Sequence, residues 1–360
     1  MTQASALPAD ATQAAQTLRQ SWQALLREEP KLRIREAAAR LGVSEAELVA
    51  TDCGHGVVRL QPDWGEILKA MPSLGRIMAL TRNESVVHER YGRFEQVEVN
   101  GPMGLVLGPD IDLRLFLNQW RHGFAARQTL HSGTRNSLQF FDAQGNAILK
   151  IYLTEDSDAG AYQALVARWR SEDQAPTLVA EPAPAPAAER PDSEVDSAGL
   201  RAAWEALRDT HDFFALLKKF KVTRTQALRL VGDDLAWPVE TGAVRQVLET
   251  AAARALPIMV FVGNRGGIQI HTGPVQNIKP MGPWLNVLDD DFNLHLREDH
   301  VAAAWVVRKP TDDGVVTSLE LFDARGENLA LIFGKRKPGI PESADWRALA
   351  DELPRAERMS

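Results

Sequence analysis

The chain has 360 residues, 44% of them hydrophobic and 25% charged, a globular composition with enough apolar side chain for two or three folding units. Its 48 acidic and 41 basic residues leave a formal charge of −7, which argues against a general polyanion binder, because duplex affinity comes from Lys and Arg neutralising phosphates. Cys53 is the single cysteine, which excludes an internal disulfide, a thiolate zinc site and a Cys-ligated iron–sulfur cluster.

The opening stretch MTQASALPADATQAAQ has neither a basic n-region nor an apolar h-region, and nowhere do about 18 uncharged apolar residues run together. A cytoplasmic protein without a membrane span is expected. Helical periodicity comes first, with Ser44 and Glu47 in an S-x-x-E capping box. Alternating apolar runs follow, among them VVHERYGRFEQVEV and SLQFFDAQGNAILKIYL; the second has a D-A-x-G turn at its centre and reads as an antiparallel hairpin. Residues 172–199 are rich in Pro and Ala and read as a semi-extended linker. The order then repeats. Helical segments, with Thr223 and Gln226 as a second capping box, precede IMVFV, IQIHTGPVQNI and the hairpin SLELFDARGENLALIF, and a frayed amphipathic helix over SADWRALADELPRAERMS closes the chain.

The repetition has a fixed register. Residues 77–152 align with 258–333 without a gap at an offset of 181, with 20 identities in 76 pairs. The expected fold is α+β, a tandem structural repeat in which each half is an antiparallel β-sheet meander with a helical cap: an N-terminal repeat over 1–171, the linker over 172–199 and a C-terminal repeat over 200–360.

The common nucleotide and hydrolase motifs are absent: there is no G-x-x-x-x-G-K-[ST], G-x-G-x-x-G after a strand, G-x-S-x-G or H-E-x-x-H. GNRGG, 263–267, stands between two strand-like runs and reads as a tight turn. The eight histidines show no metal-ligand spacing. His211, in WEALRDTHDFFALLKKF, shares a helical stripe with Trp204, Leu207, Phe214 and Leu217; alternatively Asp209 or Thr210 starts a new helix with His211 in its first turn. The side chain is then either a core imidazole bonded to backbone or a neutral nitrogen donor to iron. Its first-half counterpart is Leu32, so one copy alone carries the histidine. Arg114, in LDLRLFLNQW, pairs across the repeat with His295 and is either an outward strand arginine or a site residue. Arg265, Arg308, Lys309, Lys335 and Arg336 are either solvated strand ends or a convergent set suited to a flat apolar ligand with carboxylates. A DNA reader is the rival from another class. Ile34–Ala50 has a helix-turn-helix look, but its second helix presents Glu45, Glu47 and Asp52 where phosphates would be met, so a structural helical hairpin and no nucleic-acid partner are expected.

The stretches TRNESVVHERYG, LDLRLFLNQW, THDFFALLKKFKVTRTQALRLVGDDLA, IMVFVGNRGGIQIHTG, AWVVRKPTDDGVVTSLELFD and LIFGKR closely resemble the bacterial haemin-degrading or haem-trafficking factors of the HemS/ChuS/PhuS type. The resemblance spans nearly the whole chain apart from the first dozen residues and the linker. It implies a duplicated cytoplasmic α+β protein that binds one haem in its C-terminal half, with an arginine reaching in from the N-terminal half. On that resemblance His211 is the axial iron ligand and Arg114 is the distal arginine. Lys309 and Arg336 are propionate partners, and Phe261 packs on the porphyrin. Leu331 and Phe333 stand where familiar members have a glutamine and a tyrosine; Phe333 keeps apolar contact with the macrocycle, but the amide and hydroxyl are gone. The implied function is to sequester haem arriving through bacterial haem uptake and deliver it for iron release, with a haem oxygenase and the inner-membrane haem importer as partners. The second reading is an oxygenase-like haem-degrading enzyme in which Arg114 is catalytic. The missing tyrosine and glutamine lean towards the carrier.

Overall fold

The computed structural model describes residues 9–130, 133–185, 188–337 and 339–357. The first half runs α1 (Ala9–Glu28), α2 (Ile34–Leu41), α3 (Glu45–Ala50), β1 (Val57–Arg59), α4 (Trp64–Ala70), β2 (Gly75–Arg82), β3 (Val86–Gly92), β4 (Gln96–Asn100), β5 (Met103–Leu107), β6 (Asp112–Phe116), β7 (His122–Leu130), β8 (Gly133–Phe141), β9 (Ala147–Ser157) and α5 (Ala159–Arg168). The second half repeats the plan: α6 (Ser197–Glu205), α7 (Asp212–Phe220), α8 (Arg224–Leu230), β10 (Ala236–Val239), α9 (Ala243–Ala253), β11 (Ile258–Asn264), β12 (Gly267–Gly273), β13 (Ile278–Met281), β14 (Trp284–Leu288), β15 (Phe292–Arg297), β16 (Ala303–Thr311), β17 (Gly314–Phe322), β18 (Asn328–Gly334) and α10 (Ala344–Asp351). The α+β repeat expected from the sequence is what the chain forms.

Two compact units result. Unit 1 takes Met1–Arg82, Arg90–Pro184 and Asn264–Ile268; unit 2 takes Asn83–Glu89, Ala185–Gly263 and Gln269–Ser360. The boundary at Pro184 lies inside the 172–199 segment, but each unit also takes in a short piece of the other half of the chain. The 181-residue offset pairs Asn83 with Asn264, and the two side chains do the same work. Asn83 Nδ2 donates to the carbonyls of Gly263 (3.3 Å) and Leu329 (2.7 Å) within unit 2, and Asn264 Nδ2 donates to those of Arg82 and Ile148, both at 2.9 Å, within unit 1. Each amide thus satisfies two strand carbonyls where the borrowed segment enters, which backbone pairing alone leaves open.

In unit 1 the strand order is β1-β7-β8-β9-β2, with a separate run β6-β5-β4. In unit 2 it is β10-β16-β17-β18-β11, with β15-β14-β13. The period of two decides the faces in unit 2. Ile258, Val260, Ala304, Val306, Leu319, Leu321, Ala330 and Ile332 point to one side and pack with α9 and α10. On the other side α6, α7 and α8 bury Trp204, Phe213, Leu216 and Leu228 against Val307 and Phe322.

Several local expectations need correction. The run VVHERYGRFEQVEV is two strands, β3 and β4. The C-terminal helix does not fray: Trp346, Leu349 and Ala350 of α10 are fully buried, and beyond it the Ala356 amide donates to the Pro238 carbonyl. Nor is 172–199 a loose tether, because the Arg59 guanidinium donates to the carbonyls of Ala175 and Thr177 in unit 1, and the Arg229 guanidinium grips Asp192 in unit 2. At α3 the capping box is complete, but at α8 Thr223 caps the Gln226 amide while the Gln226 side chain turns to the Arg190 carbonyl and Asp192. GNRGG forms the tight β11–β12 turn. In the helix-turn-helix look-alike, Glu45 is buried with Lys150 and Arg82, so this helix is fastened to the sheet and offers no reading face.

Replacing Asn264 by Ala leaves two strand carbonyls without donors and is expected to lower stability by about 1–3 kcal/mol, with Asn83→Ala costing a similar amount. Urea unfolding midpoints at unchanged slope check this.

Candidate functional site

The continuous stripe from Trp204 to Leu217 does not exist. Helix α6 ends at Glu205, and α7 begins at Asp212 with His211 as its N-cap residue. The break is made by Asp209. Its Oδ1 accepts from the backbone N–H of His211 at 2.8 Å and lies 2.6 Å from Nδ1 of the same residue, and its carbonyl accepts from the Asp212 amide. A short acid closing a turn onto the amide two residues on is the usual way to start a helix. The His211 amide, then its ring, hold the Asp209 carboxyl below the usual range. The buried-imidazole alternative is also overturned: the His211 side chain is 86% exposed. A carboxylate at Nδ1 orients the ring and, in a neutral imidazole, favours the proton on Nδ1 and so leaves Nε2 as the donor. Phe214, one turn along α7, is 76% exposed.

The sheet face beneath α7 changes character from strand to strand. Trp305 pairs with Glu320 and Val307 with Ser318; Glu320 in turn pairs with Leu331 and Ser318 with Phe333; Leu331 pairs with Phe261 and Phe333 with Met259. Paired residues share a face. Helix α7 covers the β16–β17 part through Phe213, whereas Met259, Phe261, Leu331 and Phe333 on β11 and β18 are half-buried. The rings of Phe261 and Phe333 meet edge to face at 5.0 Å. An apolar strip therefore runs beside the helix that carries His211.

The same sheet face carries an ionic cluster in which Lys309 and Glu320 are buried and Arg224 is half-buried. Arg224, on α8, binds Glu320 through two hydrogen bonds of 2.6 and 2.7 Å; Lys309 Nζ donates to the same carboxylate at 2.8 Å and Ser318 Oγ at 3.1 Å. Lys309 and Arg224 both lie over the Phe213 ring, at 4.4 and 4.9 Å. Burial would raise the Glu320 carboxyl, but Arg224 and Lys309 overcome it and hold it far below the carboxylate range. Burial pushes the Lys309 ammonium down to about 8, Glu320 opposing and Arg224 adding to the fall.

Five of the expected site residues, His211, Phe261, Lys309, Phe333 and Arg336, belong to unit 2. Arg336 lies two residues past the end of β18 and is 3.9 Å from Asp313. Arg114 belongs to unit 1, where it is ion-paired to Asp112 on β6; burial raises the Asp112 carboxyl in spite of that pair. The wider basic set does not converge. Arg308 points to the sheet face opposite Lys309, bound to Asp351 at 2.6 Å and stacked over Trp237; Lys335 is exposed; and Arg265 belongs to unit 1. Lys309 is no solvated strand end but the most deeply placed cation of the set. Sequence reasoning missed Met259, Arg224 and Glu320. A lone acid in the apolar strand SLELF was a signal, because a buried carboxylate needs cations; nothing in the sequence placed Arg224 beside it.

The sequence model of the family described as Haemin-degrading HemS.ChuX domain matches residues 42–169 and 221–353, one match in each repeat. The hemin transport protein HmuS of Yersinia pestis is 45% identical over 321 residues, 89% of this chain and 92% of that one. The chain belongs to this family. Among solved structures, holo-PhuS, a heme-binding protein from Pseudomonas aeruginosa, is 51% identical with a TM-score of 0.93, covering 95% of this chain and 99% of that one. The heme degrading enzyme ChuS of Escherichia coli O157:H7 is 40% identical with a TM-score of 0.87, covering 94% and 99%. No helix among the described residues is long and apolar enough to cross a membrane.

Glu320→Gln removes the one anion between buried Lys309 and half-buried Arg224 while keeping the side-chain shape, and is expected to cost about 3–5 kcal/mol. Guanidinium unfolding monitored by tryptophan fluorescence measures the loss.

Proposed function

We propose that this chain is a cytoplasmic haem-binding protein of bacterial haem uptake, which takes haem that has entered through an inner-membrane importer, keeps it in solution and delivers it to a haem oxygenase for iron release. One observation carries this: an exposed histidine whose Nδ1 is held by Asp209 stands at the start of α7, the helix packed beside an apolar aromatic strip. A ferric porphyrin is a flat apolar body with two carboxylates, and needs a slot, a nitrogen donor and cations. Phe261, Phe333, Leu331 and Met259 supply the slot wall. His211 Nε2 supplies the donor, and Lys309 and Arg336 the carboxylate partners. Arg114 is assigned the distal role that the family resemblance implies. The haem itself supplies a Lewis-acidic iron for the imidazole; the protein orients the ring and excludes water from the macrocycle.

The likeness to ChuS, a heme degrading enzyme, favours a second function, cleavage of the macrocycle. In the first function Leu331 and Phe333 offer only apolar contact. Persistence of the Soret band when the loaded protein is incubated with ascorbate and catalase marks the carrier; its loss with release of iron marks the enzyme.

His211→Ala is expected to shift the Soret band and to weaken haem binding by at least ten-fold. Asp209→Asn, which keeps a hydrogen bond but removes its charge, is expected to move the ferric spectrum in the same direction by less. A spectrum and affinity unchanged in His211→Ala would refute the proposed ligand.

A further inference from the structure

Arg114 stands on β6 with Leu105 of β5 opposite it and Phe116 two residues on, both half-buried and on the same face. Its guanidinium is held from its own strand. Nη1 donates to the Asp112 carboxylate and, at 3.3 Å, to the Leu113 carbonyl, whereas Nε and Nη2, which carry three of the five N–H donors, make no hydrogen bond among the described residues. The Arg114 side chain is 32% exposed and that of Asp112 21%. Asp112, two residues back, faces the same way, and among the described residues Arg114 is its one side-chain partner. Burial raises the Asp112 carboxyl more than Arg114 lowers it, so the ionised acid adds nothing to the stability of the fold. The duplication supplies an independent observation. At the offset of 181, Asp112 corresponds to Asn293 and Arg114 to His295, whose ring is held by Asn286 of β14. Acid and arginine are present together in one copy and absent together from the other.

We propose that Asp112 is the positioning residue for Arg114: its carboxylate turns a long side chain back along β6, pins Nη1, and leaves Nε and Nη2 as preset donors for a ligand on the far side of the iron from His211. The proposal rests on the reading that gives Arg114 the distal role at haem, and adds to it what sets the guanidinium in place. An unrestrained arginine gives up rotamer freedom each time it donates to a ligand; one already pinned at one nitrogen gives up less. The same carboxylate has a second, opposite effect, because it offsets the guanidinium charge and weakens its pull on an anion. The two effects differ in sign, which makes them separable. If Asp112 holds the arginine in place, its removal weakens the binding of an anion to the iron, as removal of Arg114 does. If it only screens the charge, its removal strengthens that binding.

Fluoride, a small anion that accepts hydrogen bonds, is the probe, titrated into the ferric haem-loaded protein at fixed pH and followed by the visible spectrum. Arg114→Ala is expected to lower fluoride affinity about ten-fold and Asp112→Asn about three-fold in the same direction, with the urea midpoint of Asp112→Asn no lower than that of the parent. Added to Arg114→Ala, Asp112→Asn should change fluoride affinity by less than about two-fold, because the acid acts through the arginine. Tighter or unchanged fluoride binding in Asp112→Asn, or an equal effect with and without Arg114, would overturn the positioning role while leaving the distal arginine intact. Fluoride binding unaltered in Arg114→Ala would instead refute the distal assignment, and the positioning role with it. A measurement on the parent alone serves where Asp112→Asn is poorly folded: in nitrogen-15 spectra of the haem-free protein, the guanidinium signal missing from Arg114→Lys should show slowed rotation about its Cζ–Nη bonds. Rotation as free as that of a solvated arginine would show that Asp112 does not hold it.

Discussion

The hydrogen bond between Asp209 and the Nδ1 of His211 is the interaction on which the proposed haem site depends. An imidazole on the surface rotates freely about two torsions and presents either nitrogen; one carboxylate at 2.6 Å removes that freedom and leaves Nε2 as the donor. The same carboxylate accepts from the His211 backbone amide and so ends the break between α6 and α7. Orientation of the ring and the start of the helix are thus one structural event. On the same helix Phe213, two residues later, packs on Lys309 and Arg224, and Phe214 is left exposed.

The duplication explains why one copy carries such a site. At the 181-residue offset, Leu331 corresponds to Lys150, Phe261 to Leu80 and Phe333 to Tyr152. In unit 1 the ammonium of Lys150 rises from the sheet face to meet Glu45 of α3, with Arg82 alongside, and burial, which pushes the Glu45 carboxyl up, is outweighed by these two cations. The strip that is apolar in unit 2 is therefore bridged to the helical layer by an ion pair in unit 1. Lys309 and Glu320 correspond to the neutral Gln128 and Gln139. The two units share a frame and differ in which partner holds the charges: helix acid with sheet bases in one, helix arginine with sheet acid in the other.

Much of this frame was legible in the chain. A constant offset over 76 pairs required a repeat, and the D-A-x-G turns with alternating flanks required hairpins, because both signals are local and periodic. His211 stood out through its absence from the first copy. Less legible was anything that depends on what lies across space. Asp209 was visible as a helix start, yet the stripe through Trp204 and Phe214 suggested one continuous helix; the structure buries Trp204 and exposes Phe214. Lys309 looked like a strand-end cation because sequence alternation does not show that Phe213, Trp204 and Arg224 will cover it. The exchange of Asn83–Glu89 and Asn264–Ile268 left only a pair of asparagines at matching positions as its trace.

The central claim is that His211 Nε2 binds the haem iron beside the Phe261–Phe333 strip. Anomalous diffraction at the iron absorption edge from crystals of the haem-loaded protein tests it most directly. The account predicts a single iron peak at bonding distance from Nε2, with the macrocycle against Phe261 and Phe333; a peak on any other side chain, with His211 still turned to solvent, would contradict it.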